Sequence, residues 1–152
     1  PAEFIDPVVP LTLVIADSGI KGSTSKAVAD VRNGWLNDET TYNSLFNRIK
    51  DLTILVRESL EIGDLSAIGK ALSDNHTLLK KIGVSCDKLD SLVDCALKNG
   101  AYGAKLSGGG QGGNMIALVK PEDAQSISSQ LRSAGAVNTI VTQLPARGHK
   151  TK

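Results

Sequence analysis

Only five aromatic residues occur among the 152 of this sequence, Phe4, Trp35, Tyr42, Phe46 and Tyr102, and none falls in a stretch that reads as a strand. A sheet that reads RNA needs aromatic rings on its face to stack bases, so an RNA platform is excluded. Charge of one sign is missing as well: seventeen Lys and Arg against sixteen Asp and Glu leave a net charge of +1. That balance supplies no field for holding nucleic acid or an anionic membrane surface. No run approaches the length of a membrane-spanning helix and no charged-then-apolar leader opens the chain, which points to a soluble, cytoplasmic protein without a membrane partner. Cysteine is limited to Cys86 and Cys95. Cys95 lies inside a helical pattern, so the two read as buried or incidental thiols and not as a disulfide or metal pair, in keeping with a reducing compartment.

What the sequence does have, in one place, is glycine. Five glycines share six positions, Gly108, Gly109, Gly110, Gln111, Gly112 and Gly113. Glycine enters positive-φ conformations without steric cost, so such a run can fold tightly and turn consecutive N–H groups toward one point, a concavity suited to phosphate. Ala104–Ser107 before it and Asn114–Val119 after it are short apolar runs, which makes the setting strand, loop, strand. A Walker loop would end in Gly-Lys-Ser/Thr and a dinucleotide fingerprint would open into a helix; neither is present. A flexible hairpin connection is the plain alternative.

Taken in order, residues 1–10 hold three prolines and no initiating Met, and read as a linker or an expression remnant. Leu11–Ala16 is a first strand, broken by Asp17, Ser18 and Gly19. Asp17 sits in that turn and is expected to make a local Asx-type bond. Ser23, Thr24 or Ser25 can cap a helix through Ala27, Val28, Val31 and Trp35. Leu45, Ile49, Leu52, Val56 and Leu60 recur at helical spacing within Glu39–Glu61, which Gly63 ends; Leu65, Ile68, Leu72, Leu79 and Ile82 form a further stripe that includes His76. A histidine on such a stripe reads as a hydrogen-bonded core residue, and His149 in the tail suggests nothing. Ser85 is placed to cap a helix through Leu89, Leu92, Val93 and Ala96, ended by Gly100. After the loop, Pro121 opens a helix with Ala124, Ile127, Leu131 and Ala134 as its buried face, and Val137–Leu144 is a last strand. Residues 145–152 form a basic tail.

The order strand, helices, strand, strand, helix, strand is a split βαβ arrangement whose first helix has grown into a helical cluster. The expected fold is α+β: a ferredoxin-like sandwich with a four-stranded, mostly antiparallel sheet over residues 11–144, helices on one face, and the glycine loop joining the second and third strands.

Residues 103–113, GAKLSGGGQGG, resemble the third motif of the GHMP kinases, a lysine-containing strand running into GxGxGG. The likeness extends to DSGIKGSTSKAVADVR at 17–32 and to residues 75–113, which are similar to the C-terminal half of the prokaryotic mevalonate kinase family. Galactokinases, homoserine kinases and phosphomevalonate kinases would share mainly the loop. This resemblance implies transfer of the ATP γ-phosphate to the primary alcohol of mevalonate, with Mg²⁺ as a cofactor, in isoprenoid synthesis. It implies that Gly108–Gly113 lie on the nucleotide-phosphate side, and that Gly22, Ser23, Thr24, Lys105 and Ser107 face the active-site cleft. Local capping remains the alternative for Ser23 and Thr24, and simple exposure for Lys105.

The family's second motif, PxxxGLGSSAA, occurs nowhere in the sequence. The catalytic aspartate and lysine, and a share of the ATP and Mg²⁺ contacts, therefore belong by resemblance to a partner N-terminal GHMP kinase domain. No catalytic residue and no metal ligand is assigned here. The chain alone is expected to be inactive and to expose an apolar face through which it could form a homodimer. The other reading is a stand-alone ferredoxin-like module that binds a small ligand.

Overall fold

Residue 5 and residues 7–148 are described by the computed structural model of this chain. Their elements run β1 (Leu11–Asp17), α1 (Thr24–Asn37), α2 (Glu39–Ile62), α3 (Leu65–Ile82), α4 (Asp87–Lys98), β2 (Gly103–Ser107), β3 (Asn114–Val119), a 3-10 turn (Pro121–Asp123), α5 (Ala124–Ser133) and β4 (Asn138–Leu144). The strands form one sheet in the order β2-β3-β1-β4, with every neighbouring pair antiparallel. That is the split βαβ order read from the sequence. Phe4 and His149 lie outside the described residues.

Helix ends follow local chemistry. Ser23, Asp38 and Asp64 accept hydrogen bonds from the N–H groups of Lys26, Thr41 and Ala67, and so satisfy donors that a helix start leaves free. Gly63 and Gly83 close α2 and α3 in the left-handed region. Two expectations are corrected. Cys86, not Ser85, precedes α4 and makes no side-chain cap, because the Ser85 hydroxyl donates at 2.6 Å to the Asp90 carboxylate, a charged and therefore stronger acceptor. Ala134 lies past the end of α5 and is exposed, its carbonyl accepting from the Lys88 ammonium at 2.9 Å.

Successive strand residues point to opposite faces, and both faces are apolar. Val14 and Ala16, Ala104 and Leu106, and Met115, Ala117 and Val119 pack with Leu89 and Leu92 of α4 and Ile127 and Leu131 of α5. Leu11, Leu13 and Leu118 point the other way, onto Val56 and Leu60 of α2 and Ile68 and Leu72 of α3. The expectation of helices on one face is thereby corrected. β1 reads LTLVIAD, apolar at both parities, which is the pattern of a strand covered on two sides.

Helix α3 also closes the free edge of β2. Ser73 Oγ accepts from the Ala104 N–H at 3.4 Å, and His76 Nδ1 accepts from the Leu106 N–H at 3.2 Å. The helix comes this near because Gly103 packs against Gly69: a Cβ on Gly69 would collide with the Tyr102 carbonyl, and one on Gly103 with the Gly69 backbone. Leu45, Leu78 and Ile82, with Val31 and Tyr42, tie α1 and α2 to the same helix.

Candidate functional site

The pairing of Ser107 with Asn114 leaves residues 108–113 as the connection between β2 and β3. Gly108, Gly110, Gly112 and Gly113 have φ of 99°, 80°, 140° and 78°, and Gln111 joins them at 55°. These are values that side-chain-bearing residues rarely adopt. The loop is held from two sides. From the β1–α1 connection, the Ser18 N–H donates to the Gly113 carbonyl at 2.9 Å and the Ile20 carbonyl accepts from Gly113 at 2.8 Å. From the α3–α4 connection, the Val84 carbonyl accepts from the Gln111 N–H at 2.7 Å.

At three points backbone lies against backbone. A Cβ on Gly110 would strike the Val84 carbonyl, one on Gly112 the Ile20 carbonyl, and one on Gly22 the Gly110 carbonyl. Gly109 faces Thr24, the first residue of α1. Helix α1 also grips the tip: Gln111 Nε2 donates to Asp30 Oδ2 at 3.1 Å, and Lys26 Nζ donates to the same oxygen at 3.2 Å. The Gln111 hydrogen bond first, then Lys26, holds the Asp30 carboxyl below the usual carboxylate range.

The expected nest of six amides is reduced by this anchoring. Gln111 and Gly113 spend their N–H groups on Val84 and Ile20, whereas those of Gly108, Gly109, Gly110 and Gly112 meet no acceptor among the described residues. An apolar hollow of about 180 Å³ adjoins them, lined by Thr24, Val28, Val31 and Val84.

The other sequence-derived candidates divide. Gly22 and Thr24 are brought to the loop, and Ser107 leads into it. Ser23 Oγ accepts from the Lys26 N–H at 3.3 Å, so its hydroxyl caps α1. Asp17 Oδ1 accepts from the Gly19 N–H at 2.8 Å, the local bond expected of it. Lys105 is not simply exposed: its face of β2 is the one α2 and α3 cover, and it is half-buried in a cavity between them. Asp30 and Val84 were not singled out in the sequence. Their spacing from the loop carries no signal, since both reach it only through tertiary packing.

His76 is a buried core residue, as its stripe predicts. Because Nδ1 accepts from Leu106, the ring proton sits on Nε2, which donates to Asp90 Oδ1 at 3.0 Å. Lys80 Nζ lies 2.9 Å from the other Asp90 oxygen. Burial pushes the imidazole pKa down, against the pull of Asp90. Burial also pushes the Asp90 carboxyl up, but Ser85, Lys80 and His76 together hold it below the usual range. This network fixes β2, and so the loop that leaves it, to α3 and α4. Among the described residues no group of three or more His, Cys, Asp or Glu side chains could hold a metal ion, and no helix is long and apolar enough to cross a membrane.

Residues 56–137 match the family described as GHMP kinases C terminal. A mevalonate kinase of Thermococcus sibiricus is 34% identical over 148 residues, which cover 93% of this chain and 44% of that protein. A galactokinase of Pyrococcus furiosus is 43% identical, but over 77 residues, half of this chain. The crystal structure of L. major mevalonate kinase in complex with R-mevalonate superposes with a TM-score of 0.91 at 31% identity, covering 95% of this chain and 45% of that one. The chain thus spans less than half the length of the relatives it matches.

Proposed function

Since this chain belongs to the GHMP kinases, whose C-terminal domain it forms, we propose that it is the glycine-loop half of an enzyme that phosphorylates the primary alcohol of mevalonate with ATP. The observation that carries the substrate is the extent of likeness. Mevalonate kinases match across 93% of the chain, whereas the galactokinase of Pyrococcus furiosus matches half and that of Thermococcus kodakarensis 72%, less than the mevalonate kinases but more than the loop alone that was expected of galactokinases.

The residues present suit the phosphates of a nucleotide. Gly108, Gly109, Gly110 and Gly112 would hold them through backbone N–H groups that the protein leaves unused. When bound, ATP supplies the phosphoryl group that is transferred. Phosphoryl transfer depends mainly on positioning and on stabilising spread charge, and amides fixed in place stabilise such charge without reorganising. Ser18, Ile20 and Val84 fix the loop backbone, and Asp30 fixes Gln111 at its tip. No catalytic base is assigned to this domain; the base and the remaining contacts belong to an N-terminal partner domain.

The test is a coupled ADP-release assay of the full-length protein with mevalonate, galactose and homoserine offered separately at saturating ATP. Turnover dependent on mevalonate alone is expected. Turnover with galactose or homoserine and none with mevalonate would overturn the substrate reading while leaving the loop assignment intact.

A further inference from the structure

The glycine loop rests on two supports that are remote from each other in sequence. One is β2, whose Leu106 N–H donates to His76 Nδ1 at 3.2 Å just ahead of Gly108. The other is the α3–α4 connection, where the Val84 carbonyl accepts from the Gln111 N–H at 2.7 Å. Both lead to the same atom. His76 Nε2 donates to Asp90 Oδ1 at 3.0 Å, and Ser85, the residue after Val84, donates its hydroxyl to that oxygen at 2.6 Å. Asp90 stands on α4 between Leu89 and Leu92, both fully buried, so its carboxylate is fixed to the core.

Bonds to a carboxylate are charge-assisted and stronger than neutral ones. A neutral imidazole has one acceptor and one donor nitrogen, and both are used here, Nδ1 toward Leu106 and Nε2 toward Asp90. A second proton would sit on Nδ1 and set a donor against the Leu106 donor, so β2 would lose its hold at the mouth of the loop. Ser73 Oγ, 3.4 Å from the Ala104 N–H, would be the remaining side-chain acceptor on that edge among the described residues. The charged groups that face the ring are Asp90 and Asp94 on α4 and Lys80 on α3, while the one charged side chain of β2, Lys105, lines the separate cavity between α2 and α3. Burial favours the neutral ring against the pull of Asp90.

We propose that Asp90 is a positioning residue for the glycine loop, holding β2 through His76 and the Gln111 amide through Ser85 and Val84, and that proton uptake by His76 releases the β2 support. Among the described residues none of these three side chains hydrogen-bonds the loop itself; they act on the backbone that aims its amides. The coupling is a property of the fold, and only its effect on ATP rests on the proposed function.

Proton–nitrogen correlation spectra of this chain, recorded between about pH 7.5 and about pH 5, a range that brackets the ordinary imidazole value, test it. The amide signals of Gly108, Gly109 and Gly110 are expected to move with the same midpoint as the His76 ring signal. In His76→Gln, whose carboxamide offers an acceptor and a donor that do not titrate, they should stay in place. Ser85→Ala removes only a hydroxyl, and should speed deuterium exchange of the Gln111 amide by roughly tenfold, the loss of one charged hydrogen bond. The spectra themselves report whether each variant is folded. In the full-length protein, Ser85→Ala should raise KM for ATP by about three- to tenfold and affect KM for mevalonate less. Glycine amides that ignore the His76 titration, equal movement in His76→Gln, or native protection of Gln111 in Ser85→Ala would overturn the inference. Coupled signals together with an unchanged KM for ATP would uphold it and overturn the phosphate reading of the loop instead.

Discussion

At Gly110 two demands coincide, a φ of 80° and a backbone that touches the Val84 carbonyl. Valine there must take up a conformation that costs about 1–3 kcal/mol and also push the loop off its anchor. In the full-length protein Gly110→Val should therefore lower kcat/KM for ATP by roughly five- to a hundredfold, with a smaller effect on mevalonate. Steady-state kinetics with both substrates varied reads this directly, and unchanged ATP parameters would remove the loop from the site. His76 gives a second prediction at the same scale. Its neighbours that titrate or carry charge are Asp90 and Asp94 on α4 and Lys80 on α3, and burial outweighs them in favouring the neutral ring. As pH falls below the ordinary imidazole value of about 6.5, the unfolded chain takes up a proton that the folded chain refuses, so stability declines, by at most about 1.4 kcal/mol per pH unit. Asp90, held below its usual range, loses its contribution only at more acidic pH. Urea unfolding between pH 7.5 and 5, windows set by the imidazole value, should show the decline in the native chain and a flat profile in His76→Gln. Equal slopes in both would assign the effect elsewhere.

Among the elements, α3 has the most to do. It covers one face of the sheet with Ile68 and Leu72, supplies acceptors to the edge of β2 with Ser73 and His76, and anchors the helical cluster through Leu78 and Ile82. All of this depends on its approach to β2 at Gly69. Alanine at an exposed helical position would add about 1 kcal/mol of helix propensity, but here the methyl group meets the Tyr102 carbonyl. Gly69→Ala is expected to destabilise the chain by about 1–3 kcal/mol, the usual cost of overpacking. Chemical denaturation measures it, and a variant as stable as the parent would show that α3 can move away from β2 freely.

For the whole molecule, the consequence of the proposed function is a division of labour. Half of a phosphate site is of little use alone, because fixing the reactants together accounts for about 7–11 kcal/mol of barrier reduction in reactions of this kind. This chain by itself should release no ADP on addition of mevalonate, and activity should appear when a separately produced N-terminal GHMP kinase domain is mixed with it. Mevalonate-dependent turnover by the chain alone would refute that division. Val28 and Leu36 on α1 and Ile140 on β4 remain exposed, and a second domain burying them would supply the affinity for reassembly.

Element order, helix stripes and the glycine loop were legible in the sequence because each is written in local terms: periodicity, caps, and a residue type only a positive φ demands. The likeness of residues 17–32 and 75–113 to known kinases carried the function further than composition could. The sequence did not show that α2 and α3 cross to the second face of the sheet, although LTLVIAD allowed it. Nor did it show that Val84 and Asp30 hold the loop, or that two of the six loop amides are spent on that task. Lys105 is the clearest case: a strand lysine is free to be exposed, and what encloses it is the packing of two helices that begin more than thirty residues earlier. Local conformation follows from the residues on either side of a position, whereas burial, partners and cavities depend on chain segments distant in sequence, and so only the tertiary structure decides them.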